Sequence, residues 1–141
     1  MRVREMMQRR LVRCLPTTSV GDAAREMEQH HVDTTAITDW RLAAIGILTA
    51  GDVLRYVGAG GDENAPVETA MTKGVAAIDV DADVEDAIAA MDLRHVRHLL
   101  VVDFGGYPIG MLYRDDLVDL MNGRTLTLDD AIGASAASSA G

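Results

Sequence analysis

The sequence predicts a mixed α/β (α+β) fold made of two copies of one strand-helix-strand-strand-helix unit, and three observations predict it. First, sliding the chain by 64 residues (110 − 46) lays Gly46-Ile47-Leu48-Thr49-Ala50-Gly51-Asp52 over Gly110-Met111-Leu112-Tyr113-Arg114-Asp115-Asp116. The same shift, with no gap, pairs Val3 with Val67, Met7 with Met71, Met27 with Met91, His31-Val32 with His95-Val96 and Asp39 with Asp103, which marks two copies of a supersecondary unit. Second, apolar residues recur at helical spacing and then in short β-rich runs, in the same order in both copies. Third, 141 residues is close to the size of one compact domain, so two half-sized repeats have to share a core.

Each unit opens on a short lead-in, Val3, Met6 and Met7 in one copy and Val67, Ala70 and Met71 in the other. An extended entry follows, Leu11 to Pro16 and its mate Val75 to Val80, ended by turn-forming residues. Ser19 then precedes Val20, Ala23, Ala24 and Met27 at helical spacing, with Asp22 placed as in a capping box; Asp83 precedes Val84, Ala87, Ile88 and Met91, with Asp86 in the same place. The methionines of these stripes are read as core filler. His30, His31 and His95 close the first helices, and with His98 they lack the spacing of zinc ligands.

Thr34–Thr38 and Leu99–Val102 come next as strands ending at Asp39 and Asp103. Gly105-Gly106 marks the second turn more plainly than Asp39-Trp40-Arg41 marks the first. Ala43–Leu48 and Pro108–Leu112 form further strands, and Val53, Leu54 and Val57 against Leu117, Val118 and Met121 form closing helices. The organisation expected is unit one at 3–57, a Gly-rich linker at 58–66, unit two at 67–121 and a disordered Ala/Ser tail at 124–141.

Hydrophobic residues at 48% and charged residues at 25% place the chain among globular proteins. A net charge of −9 argues against nucleic acid, whose phosphates need Lys and Arg. Arg2, Arg4, Arg9, Arg10 and Arg13 crowd the N-terminus, read as a solvated face balancing acidic neighbours, with Arg13 kept open as an anion contact. No apolar run spans a bilayer or follows these arginines as in a signal peptide, so no membrane partner is expected and the cytoplasm is the expected location. The single Cys14 excludes an intrachain disulfide and reads as a small buried apolar residue.

With its order of units, the chain resembles the CBS domain family, named for cystathionine beta-synthase, whose units occur in tandem pairs. The resemblance runs from about Val3 to Met121 and is carried by Val96-Arg97-His98-Leu99-Leu100-Val101-Val102-Asp103, Gly46 to Leu54, and Gly110 to Leu117. It implies two units packed through their sheets about a pseudo-twofold axis, with two clefts between them for adenosine-containing ligands: AMP, ADP, ATP, NAD or S-adenosylmethionine. It also implies a disc-like homodimer acting as a regulator or ligand sensor, with no cofactor required and a target protein as reader.

By the family's Gly-apolar-apolar-Thr/Ser-x-x-Asp motif, Thr49 and Asp52 belong to a first cleft and Asp116 to a second, where Tyr113 replaces the hydroxyl. A carboxylate can accept from both ribose hydroxyls, and a helix start offers N–H groups to phosphate. Thr followed three residues later by Asp is also a helix cap that needs no ligand. Gly46 and Gly110 sit where a missing side chain marks close backbone approach. Arg13 falls near the first strand's approach to ligand, and Arg97, His98 and Arg114 offer the second cleft cationic or hydrogen-bonding groups. Ala36 and Leu100 stand where the family commonly has proline, shaping the adenine slot.

No nucleophile-base pair and no Gly-x-x-x-x-Gly-Lys loop is present, so a non-enzymatic ligand sensor is the leading reading. A ligand-free dimerisation scaffold is the alternative, favoured by Tyr113 and by Asp79, Asp81 and Asp83, whose carboxylates repel phosphate. An enzyme acting on a nucleotide ranks last.

Overall fold

The computed structural model describes residues 1–122, and the tail expected at 124–141 lies outside the described residues. The first repeat runs β1 (Val12–Cys14), α1 (Val20–His30), β2 (Thr34–Thr38), β3 (Ala44–Thr49) and α2 (Ala50–Gly58). A two-residue strand, β4 (Thr72–Lys73), precedes the second, which runs β5 (Ala77–Asp79), α3 (Val84–Arg94), β6 (His98–Val102), β7 (Pro108–Tyr113) and α4 (Arg114–Met121). The sheets are β1-β2-β3-β4 and β5-β6-β7. In both, the entry strand is parallel to its neighbour and the next pair is antiparallel, with one register irregularity near the same turn.

Local chemistry sets the helix ends. Ser19 Oγ accepts the Asp22 N–H (3.0 Å), but Asp22 does not complete the box; its carboxylate takes the Arg25 guanidinium instead (2.5 Å). Asp83 makes no side-chain cap at all, and the Asp86 N–H reaches the Asp83 backbone carbonyl (3.0 Å). His31 (φ 54°) and His95 (φ 55°) end α1 and α3 in the left-handed conformation, each donating its N–H to two carbonyls of the last turn. Their closing role therefore comes from the backbone.

The two lead-ins are exchanged between repeats. Residues Val3–Glu5 form a 3-10 turn whose N–H groups reach the second repeat, Val3 to Ala82 O (2.9 Å) and Arg4 to Val80 O (3.1 Å). Further on, Gln8 and Met111 exchange both backbone hydrogen bonds (2.7 and 2.9 Å). The copy does the reverse: Val67 donates to Thr18 O (2.7 Å), and β4 pairs with β3 at Thr72↔Ile47 and Lys73↔Gly46. Val3 is thus buried with Val84, Ala87, Met91, Leu99 and Leu117, while Val67 is buried with Val20, Ala23, Met27, Ile37 and Leu48. Each repeat's core is finished by a side chain from the other, and burying a valine contributes roughly 1.5–3 kcal/mol.

A third cluster joins the sheets. Ala36, Ile47, Leu100 and Met111 pack together, and they are two pairs of repeat mates. The pseudo-twofold axis runs through this contact. At the N-terminus, Arg4 pairs with Asp81 and Arg2 stands 4.0 Å from the same carboxylate, all exposed, so these ion pairs add little stability.

Candidate functional site

Thr49 is the last residue of β3 and the N-cap of α2. Its Oγ1 accepts the Asp52 N–H (3.1 Å), and Asp52 Oδ2 accepts the Thr49 N–H (2.9 Å), a closed capping box. Arg55 donates to the other oxygen, Oδ1 (2.7 Å), and Asp52 is only 9% exposed. The capping reading of this pair is therefore realised. At the matching start of α4, Tyr113 makes no side-chain cap, so the Asp116 carboxylate is not held in a box.

The two helix starts face one another across the pseudo-axis. A cleft of ≈ 230 Å³ is lined by repeat mates: Asp33 and Arg97, Thr34 and His98, Thr49 and Tyr113, Gly51 and Asp115. Its frame is doubled in the backbone, since the Ala50 N–H donates to Asp33 O and the Arg114 N–H donates to Arg97 O, both at 2.8 Å. The side chains break the symmetry. Tyr113 OH donates to Asp33 Oδ1 (2.9 Å), closing one repeat onto the other, whereas Thr49 keeps to its own helix. Burial, then the hydrogen bond to Asp33, pushes the Tyr113 hydroxyl well above the ordinary phenol range, so it stays a donor. Arg97 pairs with Asp115, and the His98 ring lies 6.5 Å from the Tyr113 ring.

A larger cleft of ≈ 1080 Å³ adjoins it. Asp33, Tyr113 and Asp115 are common to both, and Gln8, Arg10, His31, Val32 and Asp116 complete the larger one. Motif residues from one repeat thus meet residues just before β2 or β6 of the other.

That geometry rearranges the residues expected from the sequence. Arg97 and His98, expected in the second cleft, stand in the same cleft as Thr49. Arg114 turns away to pair with Asp92 (2.5 Å). Arg13 lines a separate depression of ≈ 590 Å³ with Cys14, Thr18 and Arg25, and its guanidinium donates to Pro108 O (2.6 Å), tying the repeats together. Ala36 is fully buried in the sheet-to-sheet contact. Gly46 and Gly110 owe their missing side chains to the exchanged segments: a Cβ there would lie 2.8 Å from Thr72 O and 2.6 Å from Gln8 O. Asp33 was not singled out by the sequence reading; the available signal was its place opposite Arg97 at the repeat offset.

Burial pushes the Cys14 thiol up to about 11, so it is no nucleophile at neutral pH. Among the described residues, no group of three or more His, Cys, Asp or Glu could hold a metal ion, and no helix is long and apolar enough to cross a membrane.

The family model for the CBS domain matches residues 3–59 and 67–123. An uncharacterized 17.7 kDa protein of Acidianus ambivalens is 30% identical over 72% of this chain and 62% of its own length. Arabinose 5-phosphate isomerase KdsD of Yersinia pestis is 32% identical over 73% of this chain but only 31% of the isomerase. The chain therefore spans less than two thirds of these relatives. Among solved structures, the CBS domain pair of protein MJ0100, in complex with 5′-methylthioadenosine and S-adenosyl-L-methionine, superposes with a TM-score of 0.77 at 20% identity, covering 89% of this chain and 98% of that one. The CBS domain protein PAE2072 of Pyrobaculum aerophilum, complexed with AMP, gives 0.75 at 20% identity over 96% and 99%.

Proposed function

The chain belongs to the CBS domain family, and from that premise we propose that it is a non-enzymatic regulatory module that holds an adenosine-containing ligand between its two repeats. The ligand is of the AMP, ADP, ATP, NAD or S-adenosylmethionine class. The observation that carries this reading is the ≈ 230 Å³ cleft in which the Thr49 helix start of one repeat faces Arg97 and His98 of the other. The Thr49 hydroxyl and the positive end of the α2 dipole on one wall and a guanidinium with an imidazole on the other suit a phosphate or sugar edge. The MJ0100 and PAE2072 complexes support the ligand class. Binding at a boundary between repeats favours one arrangement of the pair, which a target protein can read.

The same reading includes a cytoplasmic homodimer. Leu54 (78% exposed) and Val57 (53%) on α2, with Val118 and Leu120 on α4, leave apolar helix faces for a second copy to cover. Sedimentation giving a monomer at every accessible concentration would remove that part.

A ligand-free scaffold is favoured by one observation, the Tyr113–Asp33 bond that already ties the two repeats. A thermal-shift series with AMP, ADP, ATP, NAD and S-adenosylmethionine separates the two readings. A ligand that binds only the folded chain raises the melting temperature with its concentration. No shift with any of the five at millimolar concentration would leave the scaffold.

A further inference from the structure

We propose that Asp33 is a specificity-determining residue that bars phosphate from a second ligand position, the ≈ 1080 Å³ cleft lined by Asp33, Tyr113 and Asp116, and reserves this second cleft for adenosyl compounds that are neutral or cationic at the end facing Asp33. This rests on the ligand-binding reading above and adds to it the charge of the ligand.

The internal repeat supplies the control. At the position just before the second strand of each sheet, one repeat carries Arg97 and the other carries Asp33, so equivalent places in the pair have opposite charge. Arg97, His98 and Thr49 line the ≈ 230 Å³ cleft only, whereas Asp33 and Tyr113, hydrogen-bonded to each other, stand where it meets the larger cleft. In the larger cleft Asp33 joins Asp115 and Asp116, and among the described lining residues Arg10 is the one guanidinium, with His31 also on the wall. Arg10 leans toward the His30 carbonyl (3.4 Å), and Asp115 is matched by Arg97.

Asp33 is also held in place. Its Oδ1 accepts from Tyr113 OH at 2.9 Å and from Thr34 Oγ1 at 3.2 Å, and its backbone carbonyl accepts the Ala50 N–H. The two side-chain donors on Oδ1 hold the carboxylate toward Tyr113 and Thr34, and a phosphate brought close to it meets like-charge repulsion. The Tyr113 phenol stands where the first repeat has the Thr49 hydroxyl, which leaves less room for a phosphate on that side. A neutral ribose end meets no such repulsion, and an ammonium end gains a charge-assisted hydrogen bond to Asp33.

Calorimetric titration with AMP, adenosine and 5′-amino-5′-deoxyadenosine tests this. Wild type should take one AMP, and 5′-amino-5′-deoxyadenosine should occupy the second cleft at least tenfold more tightly than AMP does. Asp33→Asn keeps an acceptor for Tyr113 while removing the charge, and it should largely remove that preference. The paired change Asp33→Arg with Tyr113→Thr, which gives the second cleft the mates Arg97 and Thr49 of the first, should raise AMP stoichiometry from one to two. Tyr113→Phe keeps the carboxylate and should not admit a second AMP. Two equal AMP sites in wild type, or no change in Asp33→Asn and in the paired variant, would overturn the assignment. If wild type bound none of the three compounds the ligand-binding reading would fail, yet AMP binding gained by the paired variant would still support the role of Asp33.

Discussion

Val3→Ala should weaken the second repeat although Val3 belongs to the first. Its side chain is 0% exposed and lies among Val84, Met91, Leu99 and Leu117. Removing two methyl-sized groups at ~0.8 kcal/mol each, with a further cost for the cavity left behind, gives about 2 kcal/mol. For a domain of this size that corresponds to a fall in melting temperature of about 5–12 °C. Denaturant unfolding measures the total, and amide hydrogen exchange measures where it falls, because local opening reports local stability. Leu99, Val101 and Leu112 should lose protection while Ile37 and Leu48 keep theirs. Val67→Ala should give the mirror image. Loss confined to Ile37 and Leu48 in Val3→Ala, or a cost below about 0.5 kcal/mol, would refute the exchange of lead-ins.

Gly46→Ala and Gly110→Ala should each cost about 1–3 kcal/mol through collision with Thr72 O and Gln8 O, with or without ligand, as denaturant titration would show. Thr35→Val should stabilise by about 1 kcal/mol or more in the same assay, since the Thr35 hydroxyl is buried with no hydrogen-bond partner among the described residues. Asp52→Ala should lower stability by about 0.5–2 kcal/mol by opening the α2 cap. The same change should weaken AMP binding on the order of tenfold or more, whereas Asp116→Ala should do neither to the same degree; the reverse order in calorimetry would reduce Thr49 and Asp52 to a cap.

The repeat made most of the fold legible. Once Gly46 to Asp52 is laid over Gly110 to Asp116, helix spacing and β-rich runs fall in the same places twice, and Thr34–Thr38 appears as a strand with the bounds read from sequence. The exchange of lead-ins was not legible, because a segment that packs on its own repeat and one that packs on its neighbour produce the same 64-residue offset (110 − 46). Gly46 and Gly110 were visible as places of close approach, but the approaching group is a crossing backbone, which only tertiary structure reveals. In the cleft, Thr49, Arg97 and His98 were legible as residue types and their meeting across the repeats was not. Asp33 was not legible, because the repeat is defined by identities and Asp33 differs from its mate Arg97.

The most direct measurement is the structure of the chain determined with AMP at saturating concentration. One nucleotide should be found, its phosphate between the Thr49 helix start and the side chains of Arg97 and His98, and the Arg97–Asp115 pair opened to receive it. A nucleotide bound away from these residues, or none at millimolar AMP under conditions where the chain is folded, would contradict the ligand-binding reading.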